Sequence, residues 1–394
     1  MITGGGWGHG LGLSQWGAYE RARNGHSAER ILRHYYTNTT VEKTNLPDEV
    51  RVGLLQAQTL IEFGSRSAGS GGGKVSLAIK GSKPFVWGDA GTTWKARPGP
   101  AGSIYLLKNG RRVWHNGDRT LGSGRRPVLI NYEIHNSLLR VVDKDNSYRY
   151  GTMILSSYGG ACGSGRCLRL MANIEMEDYA LGIAEVSPYW PRESLRAQAI
   201  IARTYAAYKI RTSGMHRDPC DCAVYDSSYD QVYAGENGRI SSGSYWDEWR
   251  RAVRSTEGRA VLYKGAPILA LYMSSSGGHT EDNEDVWGGT PLPYLRGVPD
   301  RPDSTSANVN HKWRVEMSWS TFSSRLDAYF GTGSLRGFSL PKPFGISGRV
   351  TVVKSADAGG ARIVGSARTV RASGYQVKTA LGLKDTLFRV RIVD

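Results

Sequence analysis

No apolar run in this sequence is long enough to span a bilayer. The first residues also lack the basic start and apolar stretch of a signal peptide. A secreted chain whose leader had been removed would read the same way. Cysteine is scarce, with 4 among 394 residues, and the two CxxC pairs of a zinc ribbon are absent. No long Lys/Arg run stands out, so the excess of 51 Lys+Arg over 35 Asp+Glu does not form a nucleic-acid-binding tail. G-x-S-x-G is missing, which argues against a serine hydrolase elbow. The spacing of Asp221, Asp226 and Asp230 does not match an EF-hand loop.

What is present describes a globular, basic protein. Apolar residues make up 40%, and 11 Trp and 21 Tyr are far too many for a disordered chain. The length allows two or three domains. A net charge of +16 favours a polyanionic partner, for which an anionic cell wall is one choice and nucleic acid another.

The cysteines fall in two local pairs, Cys162 with Cys167 and Cys220 with Cys222. Two disulfides in an exported protein are the first reading, with the pairing open. A Cys-x-Cys closure would be strained, which leaves room for long-range pairing. Zinc held by His216, Cys220 and Cys222 is the second reading.

The chain opens MITGGGWGHGLGLSQWGA, with seven glycines in its first seventeen residues. Glycine loses the most backbone entropy on ordering, so a cluster around Trp7 and His9 calls for a close backbone approach. Ser14 to Tyr36 reads as a helix broken at Asn24-Gly25, with Ser27 capping the second half. RVGLL, KVSLAI, SIYLL, RRVWH, VLINYEI and LLRVV, between positions 51 and 142, read as short strands. Met176 to Ala184 reads as a short helix ended by VSPYWP. A second, alanine-rich helix begins at Pro191 and runs to about Ile210. Arg196 and Arg203 lie seven apart and share a face of it. After Cys222 the pattern is short strands and loops with one helical stretch, SYWDEWRRAVRST. The tail from GRVTVVKS to TLFRVRIVD again reads as β-rich.

Three stretches carry candidate chemistry. Glu185 ends the short helix among apolar Ile183, Ala184, Val186 and Trp190. Such surroundings disfavour the charged form and suit a general acid. A helix cap or an arginine partner is the alternative. ILALYMSSSGGHTED places Ser274, Ser275, Ser276, Gly277 and Gly278 after an apolar strand, either as a ligand-binding loop or as a plain turn. Tyr225, Tyr229 and Tyr233 are either a sugar-stacking rim or core.

Together these blocks resemble the SpoIID/LytB family (stage II sporulation protein D). EDYALGIAEVSPYWPRESLRAQAIIARTYA is similar to its central block. YDSSYDQVYAG, TEGRAVLYKGAPILALYMSSSGGHTED, VWGGTPLPYLRGVPD and GLKDTLFRV are similar to later ones. GWGHGLGLSQWGA with ILRHYY is similar to a block that in the family follows GLK-x-x-x-F. Leading the chain here, it looks permuted, and that order implies neighbouring termini. The resemblance implies a peptidoglycan lytic transglycosylase, or in the LytB branch an enhancer of an N-acetylmuramoyl-L-alanine amidase. It implies Glu185 as the catalytic residue. Arg196 stands where the family has lysine, and Arg203 matches a family arginine. Arg196, Arg203, Ser274, Ser275, Ser276, Gly277, Gly278, His9, Gln15 and Tyr233 are the expected substrate-binding residues.

The expected fold is α+β: a mixed, β-rich core with a central helix pair bearing the glutamate, plus a β-rich inserted subdomain. The expected domains are 1–45, a GWGHG segment packing on the core; 46–140, β-rich; and 141–394, the catalytic core. No cofactor is expected, with zinc as the alternative. The expected partners are peptidoglycan glycan strands and a cell-wall amidase, with no nucleic acid and no membrane span. The expected location is secreted or cell-wall associated.

Overall fold

The computed structural model describes residues 1–391 except 123–125, 135, 161, 163 and 164. The last three residues of the expected final strand lie outside the described residues. The fold is mixed α+β and rich in strand. The chain forms two compact units, each assembled from separated stretches. One comprises Met1–Lys43, Trp190–Thr204 and Arg259–Asp394, the other Thr44–Tyr189 and Tyr205–Gly258.

The second unit holds two sheets, antiparallel except for the parallel pairing of the edge strand Val224–Tyr225 with Glu49–Gln58. In the seven-stranded sheet, Arg166–Glu175 lies between Glu49–Gln58 and Thr152–Gly159. Leu168, Leu170, Met171, Ala172 and Ile174 are buried, so this strand forms the unit's apolar centre. Val128–Tyr132 and Val75–Ile79 continue the sheet. The six-stranded sheet pairs Ile61–Ser67 with Thr93–Pro98 and with Ser137–Val141. Of the expected RRVWH strand only Arg111–Arg112 forms. His115 instead closes a tight turn with Asp118.

In the first unit, Ser14 caps helix α1 (Gln15–Arg23) and Ser27 caps helix α2 (Ala28–Tyr35). Ile31, Leu32 and Tyr35 of α2 are buried, the expected apolar stripe. Further along are α3 (Met176–Leu181), in the second unit, and α4 (Arg192–Ser213), whose residues to Thr204 belong to the first unit. In the second unit follow α5 (Asn237–Ser242) and α6 (Trp246–Ser255). In the first unit follow α7 (Asn283–Trp287), α8 (Trp319–Phe330) and α9 (Gly374–Leu381).

The expected tail from Gly348 does hold strands at Ala361–Gly365, Thr369–Ala372 and Phe388–Val390, but α9 interrupts it, and α8 stands before it where short strands and loops were expected. α8 and α9 pack beside the sheet of Leu335–Ser339, Ala361–Gly365 and Thr369–Ala372. Phe322, Leu326 and Phe330 recur at helical spacing and are buried. Ser373 and Gln376 form a capping box at the start of α9. Most of GRVTVVKS is not strand.

The termini do meet. Ile2–Gly4 pairs antiparallel with Phe388–Val390, Ile2 opposite Val390, and the Met1 amino group donates to Arg391 O at 2.9 Å. The cysteines pair locally as Cys162–Cys167 and Cys220–Cys222, with Cα separations of 5.4 and 5.1 Å. The long-range pairing is not the one that forms. Among the described residues no helix is long and apolar enough to cross a membrane.

A Cβ at Gly17 of α1 would overlap the Tyr35 hydroxyl and the Asp300 carboxylate. Gly17→Ala is expected to cost about 2 kcal/mol of stability by overpacking. Urea unfolding reads this, and a change below about 0.5 kcal/mol, ordinary for a surface substitution, would contradict the packing described.

Candidate active site

The second unit presents Glu185. α3 ends at Leu181, so the glutamate stands in the loop after the helix and not on it as expected. Residues 182–185 run against 231–234: Ala234 N donates to Gly182 O at 2.8 Å and Ala184 N to Val232 O at 3.0 Å. In the same register Val232 N donates to Glu185 Oε1 at 2.7 Å. The half-buried carboxylate is thus fixed by a backbone amide on a paired segment.

A stack of tyrosines supports that segment. Tyr233 lies between Tyr179 and Tyr148, with ring centroids at 5.4 and 5.9 Å and near-parallel planes. Tyr179 Oη donates to Gln231 Oε1 at 2.8 Å. Tyr233 is 1% exposed, so its ring serves the core and is not available to a glycan. Tyr229, in contrast, is exposed and meets Tyr225 edge-on at 5.4 Å.

The three aspartates of this region go separate ways. Asp226 accepts from Tyr233 N at 2.9 Å and pairs with Lys144 at 3.1 Å. Burial nonetheless pushes its carboxyl above the usual range. Asp230 lies below that range. Burial opposes this, but donors from Tyr205, the Tyr225 amide and Arg217 outweigh it. Asp221 is shared by Arg51 at 2.8 Å, Arg169 at 3.3 Å and His216 at 2.6 Å. Among the described residues no three His, Cys, Asp or Glu side chains converge as a metal site. With Cys220 and Cys222 joined to each other, the set they form with His216 offers one imidazole and no thiolate.

The first unit holds the serine loop and the opening segment. Trp7 and Ser275 exchange backbone hydrogen bonds at 2.8 and 3.2 Å. Gly6 N donates to Asn310 O, Gly8 N to Lys384 O, and Glu281 N to Gly10 O. Gly10 has φ +89°, and a Cβ there would overlap the Arg349 guanidinium. Gly12, at φ +69°, lies as tightly on the Leu271 carbonyl. That contact and conformation are why the segment needs glycine.

Beneath the loop are two buried aspartates. Asp303 accepts from Ser14 Oγ, Ser275 Oγ, Ser276 N, Gly277 N and His311 Nδ1, all between 2.8 and 3.0 Å. Asp300 accepts from Tyr35 Oη at 2.7 Å and Ser276 Oγ at 2.8 Å. Burial pushes the Asp300 carboxyl up to about 6. Arg349 pairs with Asp385 at 2.8 Å and donates to Ser276 O and His279 O, both at 2.7 Å. The Ser275 and Ser276 hydroxyls are therefore internal supports, a correction to their expected place in a binding groove. Ser274, Gly277 and Gly278 remain half-buried.

His9 accepts from Leu11 N on Nδ1 at 3.0 Å, and its ring lies 5.3 Å from Trp287. Burial, then Lys378 and Arg349, hold its pKa down to about 3, so the imidazole is neutral. Trp7 and Trp287 are 51% and 48% exposed beside it. Gln15 is buried, its Nε2 3.3 Å from Gln198 Oε1. Trp190, expected beside Glu185, packs with Trp16 and Tyr19. Arg196 pairs with Glu193 at 3.0 Å, and Arg203 is fully buried, donating to Ala199 O at 3.2 Å. Their shared helix face runs from solvent into the core.

Sequence reasoning missed Asp300, Asp303, Arg349 and Asp385. The signal for the first two was present in VPDRPDST, where paired Pro-Asp punctuation marks a turn that orders backbone amides.

Residues 164–263 match the family described as SpoIID: Stage II sporulation protein. Stage II sporulation protein D of Bacillus subtilis (strain 168) is 32% identical over 141 residues, 34% of this chain and 41% of that protein. The amidase enhancer of the same organism is 34% identical over 119 residues, 30% of this chain and 14% of that protein. An uncharacterized protein of Brachyspira hyodysenteriae is 34% identical over 151 residues, 38% and 37% of the two chains. The chain thus spans 41% or less of the length of these curated relatives.

The raised Asp300 carboxyl has a consequence for stability. The folded state keeps its proton to about pH 6, whereas the unfolded chain releases it near the ordinary value of 3.8. Its contribution is complete below pH 3.8 and lost as pH rises through about 6. From acid to neutral pH the protein should lose about 3 kcal/mol relative to Asp300→Asn, two pKa units at about 1.4 kcal/mol each. Parallel stability–pH curves for the two proteins would contradict the assignment.

Proposed function

We propose, for a chain that belongs to the SpoIID/LytB family through its residues 164–263, that it is a cell-wall lytic transglycosylase. It cleaves peptidoglycan glycan strands between N-acetylmuramic acid and N-acetylglucosamine. The observation that carries this reading is Glu185: a half-buried carboxylate inside the matched segment, fixed by the Val232 amide at 2.7 Å.

Glu185, protonated, donates to the glycosidic oxygen as the bond to muramic acid C1 breaks. The N-acetylglucosamine end leaves as an alcohol. The carboxylate then takes the proton of the muramic acid O6 hydroxyl as O6 bonds to C1, giving a 1,6-anhydro ring. The proton returns to Glu185 and no water enters. One carboxylate suffices, unlike the acid–base or acid–nucleophile pair of ordinary glycosidases.

In the first unit, Arg196 offers a partly exposed guanidinium to substrate oxygens. Ser274, Gly277, Gly278 and neutral His9 offer polar contacts, and Trp7 and Trp287 offer ring faces for sugars. Arg203, Ser275, Ser276, Gln15 and Tyr233 act from within by holding these segments. The net charge of +16 suits an anionic wall. The role places the protein outside the cell or on the wall.

A second reading is supported by the relative named amidase enhancer. Here the chain binds glycan and stimulates a wall amidase without cleaving it. Glu185→Gln keeps the shape and removes the proton, so release of anhydro-muropeptides should fall at least about 100-fold. Undiminished release would sink Glu185 as the acid. Absence of product from the unsubstituted protein, with amidase stimulation retained, would favour the enhancer reading.

A further inference from the structure

In the first unit, α1 and α2 border an open cavity of about 490 Å³ lined by Arg21, His26, Arg30, Arg33 and His34, with Glu29 its acidic wall residue. Nothing in the proposed glycan chemistry uses it. Arg30 and Arg33 are exposed and three residues apart on α2, so they share a face of that helix. Among the described residues neither guanidinium has a hydrogen-bond or ion-pair partner. Glu29 is engaged elsewhere, paired with Arg259.

The third arginine, Arg21, reaches the cavity from α1. Its Nη2 lies 2.6 Å from His34 Nε2, with Tyr35 Oη 3.4 Å from its Nε and Asp300 at 3.6 Å. The field of these cations is felt by both imidazoles. Burial, and then Arg21, hold His34 down to about 4, while burial, Arg30 and Arg21 hold His26 below its usual range. Three arginines therefore line the cavity against one carboxylate, Glu29, which is shared with Arg259.

We propose that this cavity is an anion site that takes phosphate groups, with Arg30 and Arg33 as its principal ligands and Arg21 as its inner wall. Each guanidinium is a rigid fork for two oxygens. A carboxylate has two oxygens and occupies one fork. A phosphate presents three or four oxygens and can bridge two, and the volume admits several such groups. Free phosphate and phosphodiester-linked polymers share this chemistry.

Calorimetry with inorganic phosphate, tripolyphosphate, a glycerol phosphate oligomer and citrate tests the proposal on the full chain. Tripolyphosphate or the oligomer should bind more tightly than citrate, and more weakly as salt rises from about 50 to about 200 mM. Tighter binding of the oligomer identifies a polymer as the source, and of the inorganic ions a free phosphate. Arg30→Gln/Arg33→Gln should lower affinity at least about tenfold, and Arg30→Lys/Arg33→Lys should fall between, keeping charge without the fork. Both positions are exposed, so unfolding midpoints and glycan cleavage should not change. Equal binding by the wild type and the glutamine variant, citrate binding as tight as that of the phosphates, or no binding by the wild type would overturn the proposal.

Discussion

Five donors converge on the buried carboxylate of Asp303, and the first unit is organised around that convergence. Ser14, at the cap of α1, supplies one. Ser275, Ser276 and Gly277 supply three more, and His311 the fifth. Removing the carboxylate would strand several of them in the interior, where each unmet donor costs about 1–3 kcal/mol. Asp300 and the Arg349–Asp385 pair extend the same network to Tyr35, Ser276 and His279. A serine-rich loop and a glycine-rich opening segment, remote in sequence, are thereby held in one geometry.

The opening segment then acquires a physical reason. It pairs with Phe388–Val390, exchanges hydrogen bonds with Ser275 and lies on Arg349. An ion pair so deeply buried is tolerated because Arg349 also meets two carbonyls, which satisfies its remaining donors. Side chains at the glycine positions would displace it. Glu185 is positioned by a different device, a short antiparallel pairing over a tyrosine stack in the second unit. There the Val232 amide holds one oxygen of the Glu185 carboxylate.

Much of this was legible in the sequence. The Ser27 cap, the break at Asn24-Gly25, the buried stripe of α2 and the long alanine-rich α4 followed from spacing and capping chemistry alone. The meeting of the termini followed instead from the family resemblance, through its displaced GWGHG block. α8 and α9 were overlooked. Serine, threonine and aromatic residues lower helix propensity there, and tertiary burial of Phe322, Leu326 and Val377 decides the outcome. The burial of Ser275, Ser276 and Tyr233 was also hidden. A polar or aromatic residue in a loop carries no local mark of facing inward, and its partner Asp303 lies 28 residues away from Ser275.

In the proposed reaction, O6 of muramic acid resolves the glycan bond once Glu185 has given its proton. Digestion of purified glycan strands in ¹⁸O-water, read by mass spectrometry, tests it most directly. Intramolecular attack by O6 yields anhydro-muramic ends that carry no ¹⁸O. Muramic ends labelled with ¹⁸O at C1 would mean water is the nucleophile and would contradict the account, as would intact strands.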